Sequence, residues 1–216
     1  MPEMDISLLL TFLEIEYTIR KAHYGTALQL IEQAAAAFAT NDTTFDVQSQ
    51  VKLLCLKARI FEKKGQSQRG FSLAMKAVRI AYRSRLLPGL WEAVCSLAAV
   101  LLGLGEFPAT LALVESVMPQ ILETEDAELA ARGYSLLVDA KMGLAGRSNN
   151  KKELVNHALG YIDAAYEQYE EIEDIVGQCE MMAKKSIAML HTGDLVLADD
   201  CAAKYLDLQW QGAESM

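Results

Sequence analysis

The chain of 216 residues is poor in the residues around which active sites, secreted folds and membrane spans are built. It has three histidines, His23, His157 and His191, and no H-E-x-x-H, G-x-S-x-G, phosphate-binding glycine loop or EF-hand pattern occurs. Its acidic pairs, such as Glu170-Glu171 and Glu173-Asp174, are consecutive on a helix surface rather than spaced to converge in a pocket. The chain is therefore expected to be no enzyme and to use no cofactor and no metal. The four cysteines, Cys55, Cys95, Cys179 and Cys201, form no C-x-x-C pair and sit among apolar neighbours, as reduced, packed thiols of an intracellular protein do. The opening Met-Pro-Glu-Met-Asp has neither a basic nor an apolar leader segment, and the longest apolar run, Ala93 to Gly105, is too short for a bilayer. Asn41-Asp42-Thr43 fits a glycosylation sequon but, without a secretory route, reads as a helix-start turn. With four prolines and 13 glycines there is no disordered linker composition, and alternating β-branched runs are missing. What remains is rich in Ala, Leu, Glu, Lys, Gln and Met, an all-α composition with 52% hydrophobic residues.

The net charge of −9 makes the whole chain a poor binder of nucleic acid. Its distribution is uneven. Ten Lys and Arg but only one acid, Glu62, lie between Lys52 and Arg85; fifteen acids and five bases lie between Glu106 and Glu180. Such blocks read either as solvated helix faces or as interaction patches, and the sequence leaves both open.

A repeat organises the chain. Five times a helical stretch reaches a short turn and restarts on a small residue: Ala27, Gly70, Thr110, Ala158 and Ala198, in steps of 43, 40, 48 and 40 residues. A period of that length made of helix pairs is a solenoid, in which each repeat buries its face on its neighbours. In the tetratricopeptide pattern small residues stand at the eighth, twentieth and twenty-seventh positions, where the paired helices cross most closely. With the five sites above as twentieths, the eighths are Ile15, Ala58, Ala98 and Ser186, and the twenty-sevenths Ala34, Ala77, Val117, Ala165 and Tyr205. Most are small; Ile15, Val117 and Tyr205 are not. HEAT repeats also fit the length, but the G-x-x-x-x-A turn favours tetratricopeptide-like pairs with lengthened helices. The expected fold is all-α, a tetratricopeptide-like right-handed α-α superhelix of about five helix pairs forming one domain over 1–216.

The pairs are expected near 5–40, 45–84, 88–122, 126–170 and 172–208, with a frayed tail over 209–216. Asn41 to Thr44 supplies a turn and cap, and Ser67 an N-cap. Pro88 and Pro108 fit first turns, whereas Pro119 falls late enough to kink or end its helix. Gly146 to Asn150 is the longest connector and the expected flexible loop. The first helix is apolar around most of its circumference, which marks Leu8, Leu9 and Phe12 as a candidate buried N-terminal interface, covered by preceding repeats or by a partner.

Repeat counting also places Lys52, Arg59 and Lys63 on the groove-lining face of the second pair, and Ala99 and Leu102 on that of the third. A basic stripe running into an apolar one suits an acidic, amphipathic or extended peptide, and these five residues are the candidate partner-binding groove. The alternative is that long Lys and Arg stems simply cover a greasy helix. A carboxylate clamp of the co-chaperone kind is excluded, since its positions hold Phe12, Glu16, Leu56, Glu92 and Ser96, which do not supply the Lys and Asn donors that the clamp requires.

The blocks Ala58-Arg59-Ile60-Phe61-Glu62-Lys63-Lys64-Gly65, Gly70-Phe71-Ser72-Leu73-Ala74, Leu86-Leu87-Pro88-Gly89-Leu90-Trp91 and Gly105-Glu106-Phe107 come in that order. Lys151-Lys152-Glu153-Leu154 and Ile162-Asp163-Ala164-Ala165 follow them. Together they resemble fungal versions of subunit five of the anaphase-promoting complex. The resemblance runs from about Leu8 to Leu208 and is to the C-terminal tetratricopeptide region of a protein several times longer. It implies a non-catalytic scaffold in the platform of a cell-cycle ubiquitin ligase, in the nucleus and cytoplasm. It further implies contacts to the first, fourth and fifteenth subunits and a hetero-oligomeric setting without nucleic acid or membrane. The family carries no catalytic residue to transfer. An unrelated tetratricopeptide adaptor of signalling or trafficking would share the same repeat grammar.

Overall fold

The computed structural model describes residues 6–40 and 47–214. These form ten α-helices: α1 (Ile6–Arg20), α2 (Tyr24–Thr40), α3 (Val47–Lys63), α4 (Ser67–Arg83), α5 (Leu87–Gly103), α6 (Phe107–Leu122), α7 (Ala127–Ala145), α8 (Lys151–Glu171), α9 (Ile175–Thr192) and α10 (Leu195–Glu214). No strand occurs among the described residues. The helices group into two compact units, residues 1–104 with α1 to α5 and residues 105–216 with α6 to α10. In the first, α3 packs against α2, α4 and α5, and α1 against α2; in the second, each helix packs on the next, α6 to α7 through α9 to α10. No described helix is long and apolar enough to cross a membrane.

Left-handed residues follow seven of the described helices, though not α7, whose C-cap Gly146 has φ −65°. Gly65, Gly105 and Gly193 have φ of 69°, 79° and 90°, and each stands five residues before a small repeat residue (Gly70, Thr110, Ala198). That spacing is the glycine turn of the sequence pattern, with glycine where an L side chain is strained. The same site in the first repeat is Ala22, at φ 58°, not Gly25, which lies inside α2 with open space around its Cα. Arg85, Glu125 and Glu173 also take positive φ, and they end the second helix of a pair. Where the next helix follows Glu125 or Glu173, an aspartate caps it. Asp126 accepts from the Leu129 amide at 3.0 Å, and Asp174 from the Gly177 amide at 3.2 Å.

The crossings form at the small residues. All five twentieth positions are buried. A Cβ on Gly70 would lie 3.0 Å from the Ala58 carbonyl oxygen and 3.2 Å from Val100 Cγ2, so the twentieth and eighth positions of this pair meet backbone to backbone. In the last pair the Ser186 hydroxyl donates to the Ala198 carbonyl at 2.8 Å, joining the same two positions by a hydrogen bond. The misfit Ile15 is fully buried, and in the first unit it joins Phe12, Ile19, Ile31, Leu53, Leu56 and Ile60 in one core. At about 25 cal/mol per Å², large aliphatic side chains supply stabilisation there that an Ala-lined crossing does not.

Several boundaries differ from those read in the sequence. Helix α9 begins at Ile175 rather than Ile172, because Glu173 turns left-handed and Asp174 caps. Helix α10 does not end at Leu208 but runs on through Glu214, so 209–214 form helix rather than a frayed tail; Ser215 and Met216 lie outside the described residues. Helix α6 passes Pro119 and ends at Leu122. A proline this close to the C-terminus forfeits a single internal hydrogen bond, which a helix end tolerates. Ser67 is the first residue of α4 and buried, and Gln66 holds the cap position. The connector after α7 is tied down. Arg147 donates to the Gly105 carbonyl at 3.2 Å, its guanidinium lies 4.5 Å from the Phe107 ring centroid, and the Asn150 amide donates to the Glu153 carboxylate. The turn at Asn41 to Thr44 and the expected starts at Asp5 and Phe45 lie outside the described residues.

Candidate protein-binding surface

The candidate groove residues belong to two helices of the first unit that lie side by side. The Ser96 hydroxyl of α5 donates to the Cys55 carbonyl of α3 at 3.4 Å. Near the other end, a Cβ on Gly103 would be 2.8 Å from Ser67 Oγ and 3.4 Å from Glu62 Cγ. Lys52, Arg59 and Lys63 follow one another at seven and four residues along α3, one stripe of a 3.6-residue helix. Ala99 lies three residues beyond Ser96 on α5, and Leu102 follows it after another three. Lys52, Arg59, Ala99 and Leu102 are half-buried and Lys63 is exposed.

The three cations differ in what else they do. Lys52 Nζ is 3.2 Å from Glu16 Oε1 and 5.1 Å from the centroid of the Phe12 ring, so this lysine also fastens α3 to α1. Lys63 pairs loosely with its neighbour Glu62 at 3.8 Å, with about half of its side chain exposed. A surface pair of this kind contributes about 0–1 kcal/mol, which leaves the Lys63 charge available to a ligand. Along α3, Lys57 is bound to Glu32 of α2 at 3.5 Å. The basic stripe is thus part clamp and part open surface.

The N-terminal candidates separate. Phe12 is 3% exposed in the core of its own unit, and Leu8 packs half-buried against that core. Leu9 is exposed. Beside Leu9, the apolar residues exposed on α1 are Ile6, Leu10, Leu13 and Tyr17, spaced four, three and four residues apart. Phe12 is therefore corrected from interface to core, and Leu8 packs half-buried against that core. With hydrophobic residues on nearly every side of α1, composition alone could not tell its inner face from its outer one.

In the second unit the sequence reading missed a set of polar contacts between helices. Lys184 of α9 stands 2.6 Å from Asp139 of α7 and 2.7 Å from Glu180 one turn away. Both are short ion pairs. Burial works against the ammonium, but Asp139 and then Glu180 outweigh it and hold the Lys184 pKa above its ordinary value. Beside it the Tyr169 and Ser135 hydroxyls share a hydrogen bond of 3.1 Å, and burial pushes the Tyr169 pKa up. Lys185 pairs with Asp163 at 2.5 Å, and Lys141 with Glu115 at 3.5 Å. The only legible signal was the i, i+4 spacing of Glu180 and Lys184. A cavity of about 400 Å³ lies between the α6–α7 turn and the end of α8, rimmed by Glu125, Asp126 and Glu171 over Ile121 and Ala130. Burial raises the thiol pKa values of Cys179 and Cys201, and Cys55 and Cys95 are buried.

No protein-family model and no curated protein matches the chain. Solved structures do. The crystal structure of BtubC (BKLC) from P. vanneervenii superposes at a TM-score of 0.65 with 13% identity, over 92% of this chain and 78% of that one. A Podosopora anserina putative kinesin light chain with nearly identical TPR-like repeats matches at 0.59 and 15% identity, over 98% of this chain and all of that one. MamA from Desulfovibrio magneticus RS-1, from residue 41 to its end, matches at 0.54 and 18%, over 96% and 98%. At these identities the likeness is one of fold. The chain has a tetratricopeptide-like helix-pair fold.

Proposed function

We propose that this chain is a scaffold that binds other proteins and has no active site of its own. The observation that carries the reading is the α3–α5 face. Two adjacent first helices, joined by the Ser96–Cys55 hydrogen bond, present Arg59 and Lys63 beside Ala99 and Leu102. A row of cations against small and apolar side chains fits an acidic amphipathic or extended segment, the apolar part giving affinity and the charges giving register. The tetratricopeptide-like fold supports it.

The narrower reading is a platform subunit of the anaphase-promoting complex, working in the nucleus and cytoplasm against the first, fourth and fifteenth subunits. What supports it is the ordered series of sequence blocks from Ala58 to Ala165 that resembles subunit five of that ligase. A free adaptor of signalling or trafficking uses the same face. Its support is that the matching solved structures share the fold at 13% to 18% identity under quite different names.

Co-expression with the three named platform subunits, followed by affinity purification on this chain, tests the narrower reading. Stoichiometric recovery supports it; recovery of none by a folded helical chain discards it and leaves the adaptor. Charge reversal by R59E/K63E tests the face. Lys52 is spared because it also holds Glu16. Loss of about tenfold or more in affinity for the captured partner supports the groove, and unchanged affinity removes it.

A further inference from the structure

A second surface stands on α4. This helix contains no Asp or Glu. Its inner side is built from Ser67, Gly70, Ala74, Ala77 and Ala81, small enough to press it against α3 and α5. The outer side divides into two parallel stripes. At 100° per residue, Arg69, Lys76, Arg79 and Arg83 fall within an arc of about 80°, and Phe71, Met75, Val78 and Tyr82 fill an adjoining arc of about 60°. All four cations are exposed; Phe71, Met75 and Tyr82 are exposed at 37%, 38% and 72%, whereas Val78, at the inner edge of its stripe, is half-buried against the core. Arg69 donates to Gln66 Oε1 at 3.3 Å. Lys76, Arg79 and Arg83 have no ion-pair partner among the described residues, although the chain has 29 acids to 20 bases.

We propose that the outer face of α4 docks an acidic amphipathic helix of a partner protein. Its carboxylates would run along the Arg69–Lys76–Arg79–Arg83 stripe and its apolar residues along Phe71–Met75–Tyr82. From Arg69 to Arg83 the face is about 21 Å long, the length of four helical turns. The two stripes are straight and parallel, as a helix lying alongside requires. Chemistry separates this occupant from other anions. A phosphate backbone gains nothing from an apolar stripe. An anionic bilayer or a long polyanion also meets the field of a chain carrying −9 in total, whereas a short helix feels mainly charges within a Debye length of about 8 Å. The face is separate from the α3–α5 groove and stands whether or not the partner named above is correct.

The test uses the full chain and two labelled synthetic 18-residue peptides of one composition of Glu, Leu, Ala and Gln. In one, Glu and Leu are segregated to match the two stripes; in the other the order is shuffled. Vesicles of phosphatidylcholine and phosphatidylserine and a single-stranded DNA of similar charge serve as alternatives. We expect the patterned helix to bind at least about tenfold more tightly than the shuffled one. K76E/R79E/R83E should abolish that binding, and Y82A should weaken it about threefold or more. Circular dichroism checks the fold, and K76A/R79A/R83A replaces the reversal if the latter unfolds. No saturable binding of the patterned helix at about 1 mM overturns the proposal. So do equal binding of both peptides, binding indifferent to the charge variants, and tighter binding of vesicles or DNA than of the patterned helix. Self-association of the chain that disappears in K76E/R79E/R83E would put a second copy on the face and overturn it as well.

Discussion

Gly70 offers a sharp test of the helix crossing, because the same substitution has opposite consequences at two glycines of one unit. Replacing glycine by alanine in a helix gains about 0.5–1 kcal/mol by restricting the unfolded chain. At Gly25, in the first turn of α2, nothing lies within 4 Å of the added methyl, so G25A keeps that gain. At Gly70 the methyl would stand 3.0 Å from the Ala58 carbonyl oxygen and 3.2 Å from Val100 Cγ2. The first is backbone and cannot swing aside, and overpacking of this kind costs about 1–3 kcal/mol. The balance for G70A is a net loss of up to about 2 kcal/mol. The chain has two tryptophans, Trp91 in α5 and Trp210 in α10, so a W210F background leaves Trp91 to report on the first unit alone. With a urea slope of about 1–2 kcal/mol per M, G70A should lower the midpoint by up to about 1–2 M while G25A raises it by about 0.3–1 M. If both variants raise the midpoint equally, the close approach of α3, α4 and α5 at the repeat residues is wrong.

The turns, the half-buried Lys184 and the thiols give three further expectations. A22G should raise the urea midpoint followed by Trp91 by a few tenths of a molar, since Ala22 pays for a left-handed φ of 58° where the other turns use glycine. Lys184 and Tyr169 both have folded pKa values above their ordinary ones. Each binds its proton more tightly when folded, so its stabilisation is complete below the unfolded value, 10.5 for Lys and 10.0 for Tyr, and is lost as pH rises through the folded value. The melting temperature should therefore fall more steeply above about pH 10 in the parent chain than in K184M/Y169F; parallel curves would remove both groups from the account. Cys55 and Cys95 are buried, and burial raises the Cys179 and Cys201 pKa values. A thiol reagent at pH 8 should thus modify the native chain far more slowly than the urea-unfolded chain, and four fast-reacting thiols in the native state would contradict the packing.

The repeat was legible because it is written mostly in small residues at fixed intervals, which close helix crossings favour, although the first pair buries Ile15 at its eighth position. Gly70 against Ala58 and Ser186 against Ala198 lie where counting put them. The first left-handed site was not legible, because it is occupied by Ala22, a residue without turn signature. The start of α9 moved because Ile172 continues an apolar pattern that the left-handed Glu173 interrupts. On the surface, residue types were readable and roles were not. Lys52 and Lys63 look alike in sequence, yet the first clamps Glu16 and Phe12 and the second faces solvent. Phe12 passed for an interface residue because α1 is apolar around most of its circumference, and only the packing of α2 and α3 shows which side is inner. The outer face of α4 was hidden inside a count of ten basic residues, and its two stripes emerge only when burial is laid on the helical period.

The central claim is that the chain holds protein partners, through α3 and α5, as part of a larger assembly. It is tested most directly by purifying the tagged chain co-expressed with the first, fourth and fifteenth subunits of the anaphase-promoting complex and weighing the product by native mass spectrometry. The account predicts a defined hetero-oligomer that contains this chain once and that R59E/K63E dissolves. A folded chain that remains alone beside all three subunits would contradict its place in that assembly and leave the adaptor.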